Sequence, residues 1–123
     1  MTQFKDRFVT IVKEFSFDSA HFLPNHPGKC RNLHGHTYKL QIGIRGAVNP
    51  ENGMVVDFGD IKHIVKNRIL DMLDHQYLNS VLDFLPTAEN MAIWIFDILQ
   101  GIYGNMAFVR VWETPTSFAE YHG

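Results

Sequence analysis

Two segments in the first half of the chain alternate apolar and polar residues, which is the pattern of a half-buried β-strand. They span residues 7–17 and 37–46, and their alternating apolar positions are Val9, Ile11, Phe15, Phe17, Tyr38, Leu40, Ile42 and Ile44. We therefore predict two antiparallel strands, each with one face toward the core. The turn-forming sequence at 49–53 predicts a short further strand at 54–58, folded back on the second.

Two later segments repeat their apolar residues every three to four positions, which is the period of an α-helix. The first begins at Asp57 or Gly59, and the second begins after Thr87, a residue type that caps helices well. The apolar positions are Ile61, Ile64, Val65, Ile69 and Met72 in the first helix and Met91, Ala92, Ile95, Leu99 and Ile102 in the second.

Two more strands, at 106–113 and 118–123, complete a predicted order of main elements ββααββ. This order predicts an α+β fold, in which two helices pack on one face of an antiparallel sheet. A chain of 123 residues suits one domain, which we place at 1–123.

The composition narrows the classes of function. A formal net charge of −2 argues against a nucleic-acid-binding surface, and no apolar run is long enough to cross a bilayer. The first ten residues lack the apolar stretch of a secretory signal, and a single cysteine excludes an intrachain disulfide. We therefore predict a cytoplasmic protein without nucleic-acid or membrane partners.

The sequence CRNLHGH, residues 30–36, holds two histidines at a spacing of two. On an extended strand His34 and His36 point to the same side, and His21 at the end of the first strand is the best third ligand. Three histidines on zinc leave a fourth position open for water or substrate. A chance surface pair is the alternative. Alternation also puts both histidines on the core side, so the metal lies at its rim or a bulge redirects them.

Cys30 lies between Lys29 and Arg31, and neighbouring cations lower the pKa of a thiol. As a fourth zinc ligand, Cys30 would close the site and make it structural. As an unbound thiolate, it would be a base or a nucleophile. A small buried residue is the third alternative.

Two acidic positions complete the candidate chemistry. Asp74 precedes His75 at the end of the first helix, where the pair forms either a proton relay or an ordinary helix terminus. Glu113 ends an apolar strand, where it is either solvated or an anchor for a guanidine-like edge such as that of a pterin.

CRNLHGH resembles the C-x-x-x-H-G-H motif of the carboxy-forming branch of the 6-pyruvoyl-tetrahydropterin synthase family. Other segments resemble further motifs of that family in the same order along nearly the whole chain. They are FSFDSAHFLP, GMVVDFGDIK, LDHQYLN, PTAEN and VWET. Because the order and spacing are kept, we identify the chain as a member of this family.

The resemblance implies the tunnelling fold, with sheets of several subunits joined into a barrel as a homo-oligomer of trimers that stack as a hexamer. It implies zinc on three histidines, a cysteine general base, an Asp-His relay from a neighbouring subunit, and a glutamate that anchors the pterin. In this sequence those residues are His21, His34 and His36, then Cys30, then Asp74 and His75, then Glu113, with Thr87 and Glu89 lining the pterin pocket.

The implied substrate is 7,8-dihydroneopterin triphosphate. The implied products are 6-carboxy-5,6,7,8-tetrahydropterin, acetaldehyde and triphosphate, on the route to queuosine and related 7-deazapurines. Lys29, Arg31 and Lys39 are candidates to hold the triphosphate, and a solvated role is the alternative for each.

Two other functions remain open. The first is 6-pyruvoyl-tetrahydropterin formation, which eliminates triphosphate without cleaving the side chain. The three residues between Cys30 and His34 favour the carboxy-forming branch by resemblance. The second is a non-catalytic, zinc-stabilised pterin-binding protein, in which Cys30 is the fourth ligand.

Overall fold

The computed structural model describes residues 4–28 and 32–123. Within them the strands are β1 (Phe8–His21), β2 (His34–Ala47), β3 (Gln76–Tyr77), β4 (Met106–Thr114) and β5 (Ser117–Tyr121). They form one sheet in the order β3-β1-β2-β4-β5. The four longer strands are antiparallel neighbours, and β3 pairs in parallel with the end of β1. The predicted antiparallel sheet is confirmed.

The helices are α1 (Phe58–Val65), α2 (Asp71–Leu73), α3 (Leu78–Val81) and α4 (Ala88–Tyr103), with a π-helical turn at Lys66–Leu70. The segment from α1 through α2 is the first predicted helix, and α4 is the second. The carboxylate of Asp57 accepts from the backbone N–H of Gly59 (2.7 Å), so Asp57 is the N-cap. The Thr87 hydroxyl caps α4 in the same way, 3.1 Å from the nitrogen of Asn90.

The helices and one face of the sheet enclose an apolar core, which confirms the α+β architecture. Among its buried residues are Phe17, Tyr38, Leu40, Ile42, Ile44, Val109 and Val111 from the sheet, and Ile61, Val65, Ile69, Leu73, Met91, Ile95 and Leu99 from the helices. Within the described ranges, every helix is too short or too polar for a membrane span.

The strand predicted at 54–58 is wrong. The backbone N–H of Asn49 donates to the carbonyl of Met54 (2.9 Å), and that of Gly53 donates to the carbonyl of Asn49 (2.8 Å). A closed turn therefore uses these backbone groups, with Gly53 at a φ of 74° that favours glycine. Asp57 already caps α1, so too few residues remain to pair as a strand.

Two positions of the predicted apolar stripes are also wrong. Met72 is 45% exposed, whereas the next residue, Leu73, is fully buried. A π-helical turn contains about one residue more than an α-helical turn, so it rotates the following positions by about 100°. That rotation moves the buried stripe from Met72 to Leu73. Ile102, in the last turn of α4, is 39% exposed.

Candidate active site and metal centre

Three histidine side chains converge at the end of the β1–β2 hairpin. The pairing runs without a shift from Phe8 opposite Ala47 to His21 opposite His34. The alternation that buries Tyr38 therefore continues through His36 and His34, and no bulge redirects them. The histidines lie at the rim of the core face, which was the first of the two predicted alternatives. The Nε2 atoms of His21 and His34 are 3.1 Å apart.

The rings of His21 and His34 are oriented from behind by backbone carbonyls. His21 Nδ1 lies 2.8 Å from the carbonyl oxygen of Pro86, and His34 Nδ1 lies 2.7 Å from that of Asn32. Carbonyls only accept hydrogen bonds, so both Nδ1 atoms carry a proton and each Nε2 is left to face the other ring. His36 Nε2 is buried without a hydrogen-bond partner among the described residues. Hydrogen bonds from Nδ1 to a backbone carbonyl, as in His21 and His34, are typical of metal-ligating histidines.

Glu113, near the end of β4, completes the cluster. Its Oε1 lies 3.1 Å from Nε2 of His21 and 3.6 Å from Nε2 of His36. One ligand atom from each of His21, His34, His36 and Glu113 falls within 4.8 Å of all the others. Imidazole nitrogens with a carboxylate suit a divalent transition-type ion such as zinc, so this donor set could hold a metal.

The pKa shifts within the cluster show how a cation at its centre would be stabilised. Burial lowers the pKa of the His21 imidazole, but hydrogen bonds to Glu113 and to the Pro86 carbonyl outweigh burial, so that pKa is raised. The pKa of the Glu113 carboxyl is lowered, chiefly by the hydrogen bond from His21. Burial lowers the pKa of His36. A proton or a metal ion between the rings satisfies both the carboxylate and the facing nitrogens.

Asp74 and His75 form a second cluster, in the turn between α2 and β3. The Asp74 carboxylate accepts from the backbone N–H of Asp18 (3.0 Å) and lies 3.1 Å from Nδ1 of His75. Its pKa is lowered, chiefly by the Asp18 N–H and then by His75. The backbone N–H of His75 donates to the carbonyl of Asp18 (2.6 Å), which holds His75 at a φ of 57°.

The two clusters lie beside one cleft at the end of the hairpin. His75, Asp18 and Thr37 line this cleft, and so does His36 of the histidine centre. The His75 side chain is 78% exposed, whereas that of His21 is fully buried. Within the described residues no hydrogen bond joins the two clusters, so one chain places the histidine centre and the predicted relay near each other but separate.

The other predicted residues are distributed around this arrangement. Cys30, Lys29 and Arg31 lie outside the described residues. Glu89 and Glu113 line one cavity of about 490 Å³, whereas the hydroxyl of Thr87 is used as a helix cap.

Lys39 lies on the other side of Glu113. Its ammonium lies 4.2 Å from the centre of the Trp112 ring, in a cleft that Glu113 also lines. The Lys39 ammonium therefore lies near the histidine cluster, but no hydrogen bond described in the structure joins it to the three histidines.

The sequence did not reveal the groups that support the histidines. Tyr38, whose hydroxyl lies 3.2 Å from His21 Nδ1, carried a usable signal because it continues the even spacing of His34 and His36. Glu113, predicted from the sequence as a pterin anchor and not as a neighbour of the histidines, likewise continues the alternation of the buried Val109 and Val111. The carbonyls of Pro86 and Asn32 carried no signal, since every residue has one.

Comparison with known proteins gives a consistent result. A profile of the 6-pyruvoyl tetrahydropterin synthase family matches residues 10–123. A Haemophilus influenzae protein named 6-carboxy-5,6,7,8-tetrahydropterin synthase is 46% identical, over 90% of this chain and 96% of its own length. A Synechocystis protein of the same name is 43% identical over 90% and 91%. The structure of Caenorhabditis elegans 6-pyruvoyl tetrahydropterin synthase superposes with a TM-score of 0.89 at 31% identity, covering 98% and 99% of the two chains.

Proposed function

The chain belongs to the 6-pyruvoyl tetrahydropterin synthase family, and from that premise we propose that it converts 7,8-dihydroneopterin triphosphate to 6-carboxy-5,6,7,8-tetrahydropterin, acetaldehyde and triphosphate. The relatives at 46% and 43% identity carry the name of the enzyme that forms this carboxylated pterin. The convergence of His21, His34 and His36 is the structural observation on which the proposal rests. The product would serve the synthesis of queuosine and related 7-deazapurines.

We propose zinc as the metal, held by Nε2 of the three histidines. When bound, it would supply Lewis-acid polarisation of the hydroxyls on the substrate side chain. His21 contributes rigidity to this arrangement, since its ring is buried and fixed between Pro86 and Tyr38. His36 lines two clefts beside these rings, and we propose that the substrate binds there.

The protein groups proposed to move protons are Cys30 and the pair Asp74 and His75. A thiolate between two cations suits a general base near neutral pH. Asp74 accepts from Nδ1–H of His75, which leaves Nε2 of that ring free to take a proton. Because the His75 side chain is 78% exposed, we propose that a neighbouring subunit supplies the relay to each site.

A homo-oligomer, built from trimers that stack as a hexamer, is part of the proposal. Support comes from the outer edge of β1, which among described residues pairs with β3 only at Ser19 and Ala20. Phe8, Val9 and Val12 are each more than 40% exposed along β1. A long apolar edge strand of this kind is a ready template for pairing with another strand.

Glu113 is proposed to anchor the pterin, because a carboxylate pairs with two parallel N–H donors. Its side chain is 29% exposed and borders the cavities next to Glu89 and next to Lys39. Thr87 and Glu89 of the PTAEN segment are proposed to line the pterin pocket, and Glu89 shares its cavity with Glu113.

Incubation of the zinc-loaded protein with dihydroneopterin triphosphate tests the proposal. Release of acetaldehyde with the carboxylated pterin supports it. A pyruvoyl product would establish the alternative activity, 6-pyruvoyl-tetrahydropterin formation. The similar Caenorhabditis elegans structure carries the name of that enzyme. Zinc and pterin binding without turnover would establish a binding protein instead. The Cys30→Ala variant is the matched control: as a base, Cys30 is needed for turnover and not for zinc binding.

A further inference from the structure

The Glu113 carboxylate meets the histidines on their metal-facing side. Its Oε1 contacts Nε2 of His21, while Nδ1 of the same ring is occupied by the Pro86 carbonyl. A residue that only supported the ring would bind the opposite nitrogen, as Pro86 does. We propose that Glu113 is a fourth ligand of the metal in the substrate-free protein, and that substrate must take its place.

The spacing of the four atoms suits a tetrahedral site. With metal–nitrogen bonds of about 2.0–2.1 Å, neighbouring ligand atoms of a tetrahedron lie about 3.3–3.4 Å apart. The distances here are 3.1 Å from His21 to His34, 3.1 Å from His21 to Glu113 and 3.6 Å from His36 to Glu113. Oε1 of Glu113 thus lies as far from Nε2 of His21 as Nε2 of His34 does.

Charge favours the same arrangement. Three neutral imidazoles leave the full charge of a divalent ion uncompensated, next to rings of which His21 is fully buried. One carboxylate halves that charge without a second buried anion. Glu113 is also placed to leave, because it borders a cavity on either side of β4, toward Glu89 and toward Lys39.

The inference deepens the proposed function and rests on it for the identity of the substrate. A carboxylate that occupies the fourth position keeps water from it until substrate arrives. The N–H donors of the pterin edge then hydrogen-bond to the same carboxylate, which leaves the metal. Binding of the pterin would therefore open the metal for the substrate hydroxyls.

Zinc affinity, measured by competition with a chromogenic chelator, tests the ligand role without any turnover. Glu113→Gln should weaken zinc binding by more than the roughly 10–100-fold that the loss of a supporting residue costs. Glu89→Gln, a change of the carboxylate across the same cavity, should leave affinity within twofold. A smaller loss for Glu113→Gln, or an equal loss for Glu89→Gln, contradicts the proposal. Circular dichroism and thermal unfolding establish that both variants are folded.

Visible absorption of the cobalt-substituted protein tests whether the fourth position is filled. Azide should change the spectrum of Glu113→Gln at concentrations that leave the wild-type spectrum unchanged. An equal azide response in the two proteins contradicts the proposal. So does a thiolate-to-cobalt charge-transfer band that disappears in Cys30→Ala, since it would assign the position to Cys30. Failure of turnover with dihydroneopterin triphosphate would instead reject the proposed function and leave these results standing.

Discussion

The histidine centre and the Asp74–His75 cluster lie near the same cleft but are built in opposite ways. The histidine centre lies at the paired ends of β1 and β2, and the ring of His21 is fully buried. Backbone carbonyls accept hydrogen bonds from two of its imidazoles. The Asp74–His75 pair stands in a turn with a largely exposed imidazole. Metal ligands must be held rigidly in place, whereas a proton carrier requires access to its partner. This difference supports the proposal that one subunit holds the metal and that a neighbouring subunit supplies the relay.

The largest expected effect is the loss of the metal from His34→Ala. Removal of a ligand should lower zinc affinity by more than the roughly 10–100-fold that the loss of a supporting residue costs. Activity should disappear with the metal. Zinc content after gel filtration and acetaldehyde release measure the two effects.

His63→Ala is the control for that variant, because His63 is exposed on α1 and contacts Asn67. It should retain wild-type zinc content and activity. Full zinc content in His34→Ala would remove His34 from the ligand set and end the contrast between the two clusters.

The next effect should separate the clusters. His75→Ala is expected to lower kcat by about 10²–10⁴-fold, which is typical of a lost general acid–base group. Its zinc affinity should equal that of the wild type, because His75 contacts Asp74 and Asp18 rather than the centre. Steady-state kinetics and chelator competition measure both quantities.

Mixing of inactive variants tests whether assembly completes the site. Oligomers reassembled from Cys30→Ala and His75→Ala subunits should regain activity if the relay crosses between subunits. If the mixture stays inactive while mixed oligomers form, the relay acts within one chain and the contrast drawn above is wrong.

The same contrast explains what the sequence could predict. His34 and His36 lie two residues apart on a strand, and His21 ends the strand that pairs with it, so local periodicity and a hairpin were enough. Glu113 joins them only through the register of β4 on β2, where Leu40 lies opposite Val111. The register follows from packing, which alternation in one strand does not define.

The remaining departures come from the helical segment. No residue type in the sequence marks the π-helical turn at Lys66–Leu70. This turn rotates the positions after it, so that Met72 is exposed. The exposed Asp74–His75 pair was found as a dipeptide, but its partner Asp18 is 56 residues away along the chain. Contacts of that range follow from the packed tertiary structure rather than from any local pattern.

A smaller effect is expected from Tyr38→Phe. The Tyr38 hydroxyl and the Pro86 carbonyl both lie within hydrogen-bond distance of His21 Nδ1, so loss of one leaves the other. Zinc affinity should fall about tenfold, the lower limit for residues that support a ligand. Tyr103→Phe is the matched control, since its buried hydroxyl has no hydrogen-bond partner in the described structure. Equal zinc affinities in the two variants would show that the carbonyl alone orients His21.

The smallest effect concerns the backbone of the exposed cluster. His75 has a φ of 57°, a left-handed conformation that costs a residue with a Cβ about 1–2 kcal/mol and glycine little. His75→Gly should therefore unfold with a free energy about 0.5–1 kcal/mol higher than His75→Ala, although both lack the imidazole. At Lys62, within the regular helix α1, the order should reverse, with Lys62→Ala the more stable by about 1 kcal/mol. Urea unfolding of the four variants measures these differences.

If alanine were the more stable at both positions, the turn would carry no strain. The bonds to Asp18 would then orient His75 at no conformational cost, and the two clusters would differ in burial alone.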